Sequence, residues 1–554
     1  LLEGVHLDTT GFKELDRLPG EERPNTGFDR NDVMLKARLG SSWLDSTRHA
    51  VDLKLTYGDE DSHETYVGLT DADLKDNPYR RYRATAGDRM QWRRFGGQIG
   101  YSFVVDDVFD VKVTAYRHDF HRAWRRLNRF LQGPSIEDVL LHPDAGQNAV
   151  FMRILRGELD SETAGQTLGI ATNDRTFYSQ GIQAVSHLQT SPFGFFSNTE
   201  FGVRLHNDSI TRLHTEDGKR MISGALVPDG RETTITTANT ATATALSAWI
   251  VEEARFGPLT LLPGVRMELV DTSLVDSTLL LNGGATEATT QDDLQLALLP
   301  GIGAAVDVPF ATLFGGVHRG YSPKAPGQSA DVLPETSWNV EVGGRTTLKD
   351  TRAELVGYWS PYENIVGQCT LSAGCIDDGA FAQTNGGAAL VYGVEAALGH
   401  TFRIMERASV SADVVYTFTH ATFSTTFSSG TAIYGDVVAG DYLPYVPMHQ
   451  GSVTVGADVF GFKGGLVASY LGEMRDLPGQ GERGDDGREI GSGETFADAQ
   501  LILDANVGYE VWKNGTFYVR LDNITGQQGA VSHRPFGGRP TKPTSFLVGF
   551  KQSF

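Results

Sequence analysis

Cysteine, long apolar runs and basic side chains are all scarce in this sequence of 554 residues. No stretch approaches the ~18 consecutive apolar residues that a membrane-spanning helix needs, which excludes an α-helical membrane protein. The 48 Lys and Arg against 69 Asp and Glu give a net charge of −21, and this excess of acid argues against a general nucleic-acid binder. The 64 Gly, 29 Phe and 18 Tyr exclude a disordered chain and an ordinary helical enzyme.

The two cysteines, Cys369 and Cys375, lie in a segment of Gly, Ser, Ala and Asp that is typical of a loop. The pair suits a small disulfide loop in an oxidising compartment. Two thiolates without a nearby His are too few for a metal site. We therefore predict a disulfide between these cysteines and no protein-bound structural metal.

What the chain does contain is strict alternation of apolar and polar residues, the period of a strand with two different faces. Around residue 95 one parity carries Phe95, Ile99, Tyr101 and Phe103, and the other carries Arg94, Gln98, Gly100 and Ser102. The same split recurs in residues 200–206, 338–345 and 517–522. A soluble sandwich and a membrane barrel share this pattern, so alternation alone does not separate them.

The lengths of the connections separate the two. About twenty strands can be read from the alternating runs, nearly all with the ~9–11 residues or slightly more that a tilted strand needs to cross a bilayer. Short turns, such as Phe256–Pro258 and Lys349–Asp350, alternate with long polar loops, among them Gly58–Gln91, His121–Arg175 and Asn207–Ala238. This anatomy predicts an all-β fold, a transmembrane antiparallel β-barrel of the outer-membrane type.

The last residues of the chain give a further indication of a barrel. Phe546, Val548, Phe550 and Phe554 share one parity. We interpret Phe546, Phe550 and Phe554 as a barrel-assembly signal on the lipid face of the closing strand, the alternative being the last edge strand of a soluble sheet. With this strand running toward the periplasm, an even strand count places every long loop outside the cell and the C-terminus in the periplasm.

Several segments resemble the barrel of TonB-dependent outer-membrane transporters, and most of all the ferric-dicitrate-type receptors. The matching segments include LLEGVHLDTTGFKELD, GFDRNDVMLKARLG, ETYVGLTDADLKDNPYRRY, TAYRHDFHRAWRRLNRF, GGVHRGYSPKAP, LPETSWNVEVGGRT and LPYVPMHQGSVTVG. They occur in the family's order from residue 1 to 554. The resemblance implies an outer-membrane location, lipid and lipopolysaccharide around the barrel, and uptake of a ferric siderophore or ferric citrate.

The resemblance also implies an N-terminal plug and a barrel of 22 strands. Neither the plug nor the first hairpin is recognisable in residues 1–554, so the chain is predicted to be barrel alone, with about 20 strands. The sequence begins at Leu1 without Met or a signal peptide, as expected of a processed chain or a fragment. We expect the missing part upstream; a separate polypeptide, or a reduced barrel sealed between Leu1–Asp8 and Ser545–Phe554, are the alternatives.

Two clusters of cations are candidate ligand-binding residues, since guanidinium groups match carboxylates in two bonds at once. The first comprises Arg80, Arg81, Arg83 and Arg89; the second comprises His118, His121, Arg122, Arg125, Arg126 and Arg129, whose spacing suggests a short helix. The alternative is that they pair with loop carboxylates or lipopolysaccharide phosphates. His318, Arg319 and Tyr321, where a strand rises into a loop, are further candidates for ligand contact, or else structural residues of the barrel rim.

These features predict a receptor for a ferric chelate, energised by the TonB, ExbB and ExbD proteins through a plug outside this chain. Iron arrives only inside its chelator, so no cofactor is expected, and no nucleic acid is a partner. No Ser/His/Asp or paired-carboxylate arrangement stands out, so an enzyme is not expected. The alternatives are a plug-less barrel that acts as a scaffold or adhesin in an envelope assembly, and a passive pore.

Overall fold

The computed structural model describes residues 1–41, 47–106, 108–368, 383–429, 434–490 and 495–552. Twenty successive strands of one antiparallel sheet dominate these ranges, and each strand pairs with its neighbours in the chain. They are β1 (Leu2–Thr9), β2 (Phe28–Gly40), β3 (Thr47–Ser62), β4 (Arg89–Val105), β5 (Phe109–Phe130), β6 (Leu168–Thr190), β7 (Phe196–Ile222), β8 (Thr234–Phe256), β9 (Leu259–Asp276), β10 (Thr289–Val308), β11 (Ala311–Ser322), β12 (Glu335–Leu348), β13 (Thr351–Asn364), β14 (Ala389–Met405), β15 (Ala408–Phe423), β16 (His449–Val459), β17 (Phe462–Leu471), β18 (Gln500–Trp512), β19 (Gly515–Asp522) and β20 (Ser545–Gln552). A short strand, Ala225–Pro228, folds back on the end of β7. The predicted all-β fold is confirmed, whereas Cys369, Cys375 and Phe554 lie outside the described residues.

Short and long connections alternate along the sheet, so one end carries tight turns and the other carries loops. Between β16 and β17, Phe460 and Gly461 both have positive φ, 49° and 89°, the conformation that a two-residue hairpin turn requires. At the other end the connections 63–88 and 131–167 are long enough to fold on themselves. Helices occur here, and none in the described part of the chain is both long and apolar enough to span a membrane.

Two of the predicted loop boundaries are wrong. Residues 207–222 continue β7, and residues 121–130 continue β5. Residues 207–219 and 121–130 pair with β6, and residues 220–222 pair with the short strand Ala225–Pro228. Beyond the bilayer neither face of a strand meets lipid, so apolar alternation fades while the hydrogen-bonded ladder goes on. Polarity at these positions reflects the loss of lipid contact, not the end of the strand.

One face of the sheet carries large apolar side chains that remain exposed, including Leu296 at 70% and Phe95 at 53%. Phe546 and Phe550 of β20 lie on this face, opposite Leu521 and Phe517 of β19. Such a band suits the lipid-facing outside of a barrel, and the polar face then lines the lumen.

The two ends of the sheet meet at the loop end. Within the described ranges β1 pairs only with β2, and β20 only with β19. However, the loop between β19 and β20 docks on the loop between β3 and β4, with Val67 beside Phe536. Leu69 donates its backbone N–H to Gly538 at 2.9 Å, and Gly538 donates back at 2.7 Å. The sheet therefore curls into a barrel in which the loop of hairpin β3–β4 is joined to the loop of the last hairpin, β19–β20.

Buried apolar side chains cluster in what we call the loop layer, formed by connections 63–88, 131–167 and 523–544 with the strand ends beneath them. Helices α1 (Asp71–Asp76), α2 (Ile136–Leu141) and α3 (Asn148–Leu155) lie here. Helix α2 begins at Ser135, whose Oγ accepts a hydrogen bond from the Asp138 N–H at 3.0 Å, a standard N-cap. The core comprises Tyr66, Val67, Leu69, Tyr82, Leu127, Phe130, Ile136, Val139, Leu140, Phe151, Met152, Ile154, Leu155, Leu168, Ile170, Met221 and Phe536. These connections are thus folded structure rather than polar tethers.

Candidate functional site

Three arginines stand side by side on the lumenal face of β5, β6 and β7. Arg122 is directly opposite Arg175, and Arg175 is directly opposite Arg212. We call these three residues the arginine row. Trp92 of β4 and Asn239 of β8 continue it on either side, so the row contains no carboxylate.

This arrangement costs stability, because like charges directly opposite each other on neighbouring strands repel. Two of the guanidinium groups donate hydrogen bonds to neutral side chains. Arg212 donates from Nη1 to Oδ1 of Asn239 at 3.0 Å. Arg175 donates from Nε to Nε2 of His214 at 3.0 Å, which requires that nitrogen of His214 to be unprotonated. Three guanidinium groups in line on one face can donate paired hydrogen bonds to an oxyanion.

The arginine row lies at the loop end of the lumen. Arg212 follows Phe196, the first residue of β7, by 16 positions. A tilted strand crosses the bilayer core in ~9–11 residues, so the row lies beyond it. Nε of Arg122 is buried and bonds to no group in the part of the chain that the structure describes.

Further cations surround the row toward the loops. Arg126 lies 4.1 Å from the ring centroid of Tyr66 and donates to Oδ1 of Asn128 at 3.1 Å. Arg129 donates two hydrogen bonds to Glu216, from Nε to Oε2 at 3.1 Å and from Nη2 to Oε1 at 2.8 Å. A β-bulge between Leu127 and Arg129 returns the Arg129 side chain to the lumenal face that Arg126 occupies.

The four arginines of the first predicted cluster are held by the protein itself. Arg80 pairs with Asp16 at 2.9 Å and with Asp73 at 2.8 Å. Arg81 is buried and donates to the His63 and Thr85 carbonyl oxygens, Arg83 donates to the Gly224 carbonyl and to Glu21, and Arg89 pairs with Asp61 on the outer face. The structure therefore gives these four side chains structural partners and does not gather them at the lumen.

The second predicted cluster is divided between the two faces of the sheet. The predicted short helix is wrong: Arg122, Arg125, Arg126 and Arg129 lie in β5, where cross-strand hydrogen bonds satisfy the backbone. By strand alternation His118, Arg122 and Arg126 face the lumen, whereas His121 and Arg125 face outward, and His121 contacts Asp174 at 2.9 Å. Only part of the cluster can therefore meet a ligand in the barrel.

The remaining candidates lie on β11, away from the arginine row. His318 faces the lumen opposite Gly301. Arg319 faces outward, where it donates two hydrogen bonds of 2.6 Å to Glu363 and lies 5.3 Å from the Trp338 ring centroid. Tyr321 donates its hydroxyl to Gln295 at 3.2 Å. Ligand contact stays a prediction for His318, Arg319 and Tyr321.

Sequence reasoning missed Arg175, Arg212 and His214. Each of these residues alternates with outward-facing residues, as Arg212 and His214 do with Leu213. The sequence alone therefore indicates that Arg212 and His214 share the inward face of their strand. Their proximity to Arg122 depends on the register in which three strands pair, and alternation does not predict register. In the described ranges there is no group of three or more His, Cys, Asp or Glu side chains placed to hold a metal ion.

One carboxyl, Asp88, is buried beside this site at the base of the loop layer. Its Oδ1 accepts the Leu127 N–H at 3.0 Å and its Oδ2 accepts the Tyr66 N–H at 3.3 Å. Burial raises the pKa of Asp88 to about 7, although Arg81, the two backbone donors and Arg126 favour ionisation. Protonation of this one group therefore couples to the packing of the loop layer.

We expect the loop layer to open more readily at pH 8 than at pH 5. The folded-state pKa lies above the value of 3.8 for an unperturbed Asp, so protonated Asp88 stabilises the layer below pH ~4, and this contribution, a few kcal/mol, is lost as the pH rises through about 7. Hydrogen exchange of the Tyr66 and Leu127 amides at pH 5 and pH 8, corrected for intrinsic rates, measures this difference in opening. Asp88→Asn should abolish the difference; an equal difference in that variant would contradict the assignment.

A family model described as "TonB dependent receptor-like, beta-barrel" matches residues 23–524. Similar solved structures include the unliganded ferric citrate transporter FecA (TM-score 0.69, 17% identity, covering 95% of this chain and 70% of FecA). The siderophore receptor PiuA from Acinetobacter baumannii has a TM-score of 0.70 and 12% identity, with 95% of this chain and 75% of PiuA covered. The closed form of the ferric-catecholate import receptor Fiu from K12 E. coli has a TM-score of 0.67 and 14% identity, with 100% of this chain and 77% of Fiu covered. A comparison with curated proteins finds no significant match.

Proposed function

Since the chain belongs to the TonB dependent receptor-like β-barrel family, we propose that it is the barrel of an outer-membrane receptor that takes up an anionic ferric chelate. The long loops face the cell exterior and the C-terminus faces the periplasm. A plug outside these 554 residues gates the lumen and receives energy from TonB, ExbB and ExbD. Iron is cargo inside its chelator and not a cofactor of the protein.

The observation that carries this proposal is the arginine row. Arg122, Arg175 and Arg212 keep three positive charges together without a carboxylate in the row, beyond the bilayer on the loop side. Guanidinium groups bind carboxylate and other oxyanions in paired hydrogen bonds. Against a net charge of −21, this local concentration of cations focuses an anionic chelate toward the lumen. Outer-membrane lipid and lipopolysaccharide surround the outside of the barrel.

Binding and uptake of radioactive iron test the proposal. The receptor, purified in detergent from the membrane that contains it, should bind iron(III) citrate or an iron(III) catecholate with a Kd below about 10 μM, and the iron-free chelators more weakly. Cells that make it should take up the complex only with a working TonB system. Failure to bind any ferric chelate, with fixed partners co-purifying, would favour a scaffold, and uptake that persists without TonB would indicate a passive pore.

A further inference from the structure

Three aromatic rings form a continuous strip on the lumenal face beside the arginine row. The ring centroids of Trp92 and Phe120 are 6.0 Å apart, and those of Phe120 and Phe177 are 5.6 Å apart. Phe120 is directly opposite Phe177, which is directly opposite Ile210. All three rings are half-buried. We call Trp92, Phe120 and Phe177 the aromatic strip.

The strip places apolar rings on the lumenal face of the sheet, the face that is otherwise polar. At the same height several outward positions of these strands are polar, among them Arg93, Asp119 and His121. Phe95 and Tyr178, the neighbours of Asp119 across the strands, are outward-facing rings. Barrel interiors are ordinarily polar. Lipid contact does not account for rings that face the lumen, and the loop-layer core does not include them. Their remaining exposed surface is open to a molecule inside the barrel.

Cations lie on two sides of the strip, and two of them, Arg30 and Arg94, share one carboxylate, Asp32, as their partner. The guanidinium carbons of Arg30 and Arg94 lie 5.4 and 5.5 Å from the ring centroid of Trp92. Arg122 follows Phe120 by two positions and Arg175 precedes Phe177 by two, so the arginine row runs directly above the rings on the same face. The indole N–H of Trp124, next above Arg122, is buried and bonds to no other described group.

We propose that the cargo carries aromatic rings as well as negative charge: it is an iron(III) chelate of deprotonated catechol groups. This deepens the proposed function and rests on it. Three catecholates give iron(III) a net charge of −3 and leave flat rings at the edge of the complex. The rings stack on the aromatic strip, while the oxygens accept hydrogen bonds from the arginine row and Trp124. Iron(III) citrate meets the cations equally well but has no ring to cover Phe120 and Phe177.

Competition between three probes tests this inference on the full protein, purified in detergent. They are the iron(III) complexes of 2,3-dihydroxybenzoate, of citrate and of desferrioxamine B, a cationic hydroxamate without aromatic rings. We expect the catecholate to bind at least about tenfold more tightly than citrate, and the hydroxamate most weakly. Phe120→Ala with Phe177→Ala should weaken catecholate binding about tenfold and leave citrate binding unchanged.

Two further variants separate recognition from folding. Tyr178→Ala removes an outward-facing ring next to Phe177, one that lies beneath Arg117, and should leave all three affinities unchanged. Phe177→Leu keeps an apolar side chain of similar size and should lose part of the catecholate preference, with heat-modifiable migration on a gel reporting an intact barrel.

The possible outcomes distinguish a failure of this inference from a failure of the proposed function. Tighter binding of citrate than of catecholate, or an equal loss for both probes in the double variant, overturns the inference and leaves the proposed function standing. Binding of none of the three probes overturns the proposed function as well.

Discussion

Replacing Arg122, Arg175 and Arg212 together by glutamine is expected to weaken binding of an anionic ferric chelate at least about a hundredfold. Hydrogen bonds to charged groups contribute about 1.5–3 kcal/mol each. The variant replaces three charged hydrogen-bond donors by neutral ones. Titration of the purified receptor with iron(III) citrate and with the catecholate complex measures the loss. Both probes should weaken, since the arginine row recognises charge and not rings.

The same variant should be at least as heat-stable as the wild type. Two like-charged pairs directly across neighbouring strands are removed, and such pairs are destabilising. A rise in the thermal midpoint together with lost binding identifies residues kept for a ligand at the expense of stability. Wild-type affinity in the variant, or a loss of stability along with affinity, would show that the row has a structural role.

The matched control for the arginine row is Arg93→Gln with Arg125→Gln. These side chains lie on β4 and β5 at a similar height but face outward by strand alternation. The control removes positive charge from the same strands without touching the lumen. A similar loss of affinity in both variants would mean that overall charge, and not the arginine row, attracts the ligand.

Alternation in the sequence predicted which side chains share a face. Phe201, Val203 and Leu205 were expected on the apolar face, and the structure leaves all three between 44% and 50% exposed there. The same rule assigns Arg122 and Arg126 to one face and Arg125 to the other. Reading that segment as a helix obscured this, because a run of closely spaced arginines satisfies both periods. The outward neighbours of these arginines, Asp119 and His121, supply no apolar contrast.

Register was not predictable. The arginine row exists because three strands pair so that Arg122, Arg175 and Arg212 come into line, and a slip of one residue would turn one of them outward. The bulge beside Arg129 depends equally on tertiary pairing. In the loop layer, by contrast, Phe151, Ile154 and Leu155 already show helical spacing in the sequence. The length of the connection predicts a polar loop, whereas the periodicity of these three residues predicts a helix.

Phe536→Ala is expected to detach the last long loop from the rest of the loop layer. The Phe536 side chain is 5% exposed, and its ring centroid lies 5.9 Å from that of Tyr66. Its carbonyl oxygen accepts the Gly68 N–H at 2.6 Å. Truncation of a buried Phe costs about 3–5 kcal/mol, and the Ala variant keeps the backbone but loses the packing that holds it. Amide exchange at Gly68 and Leu69 should accelerate roughly a hundredfold or more.

The effect should be confined to the loop end, since Phe536 packs in the loop layer and not on the apolar face of the barrel. Heat-modifiable migration should therefore persist, while residues 530–540 become sensitive to protease in intact cells. Val531→Ala is the matched control, because Val531 belongs to the same loop and is 38% exposed. Within the described ranges these loop contacts join the hairpin β19–β20 to the hairpin β3–β4, and β20 forms no ladder with β1. Exchange at Gly68 and Leu69 no faster in Phe536→Ala than in Val531→Ala would show that the junction does not depend on this ring.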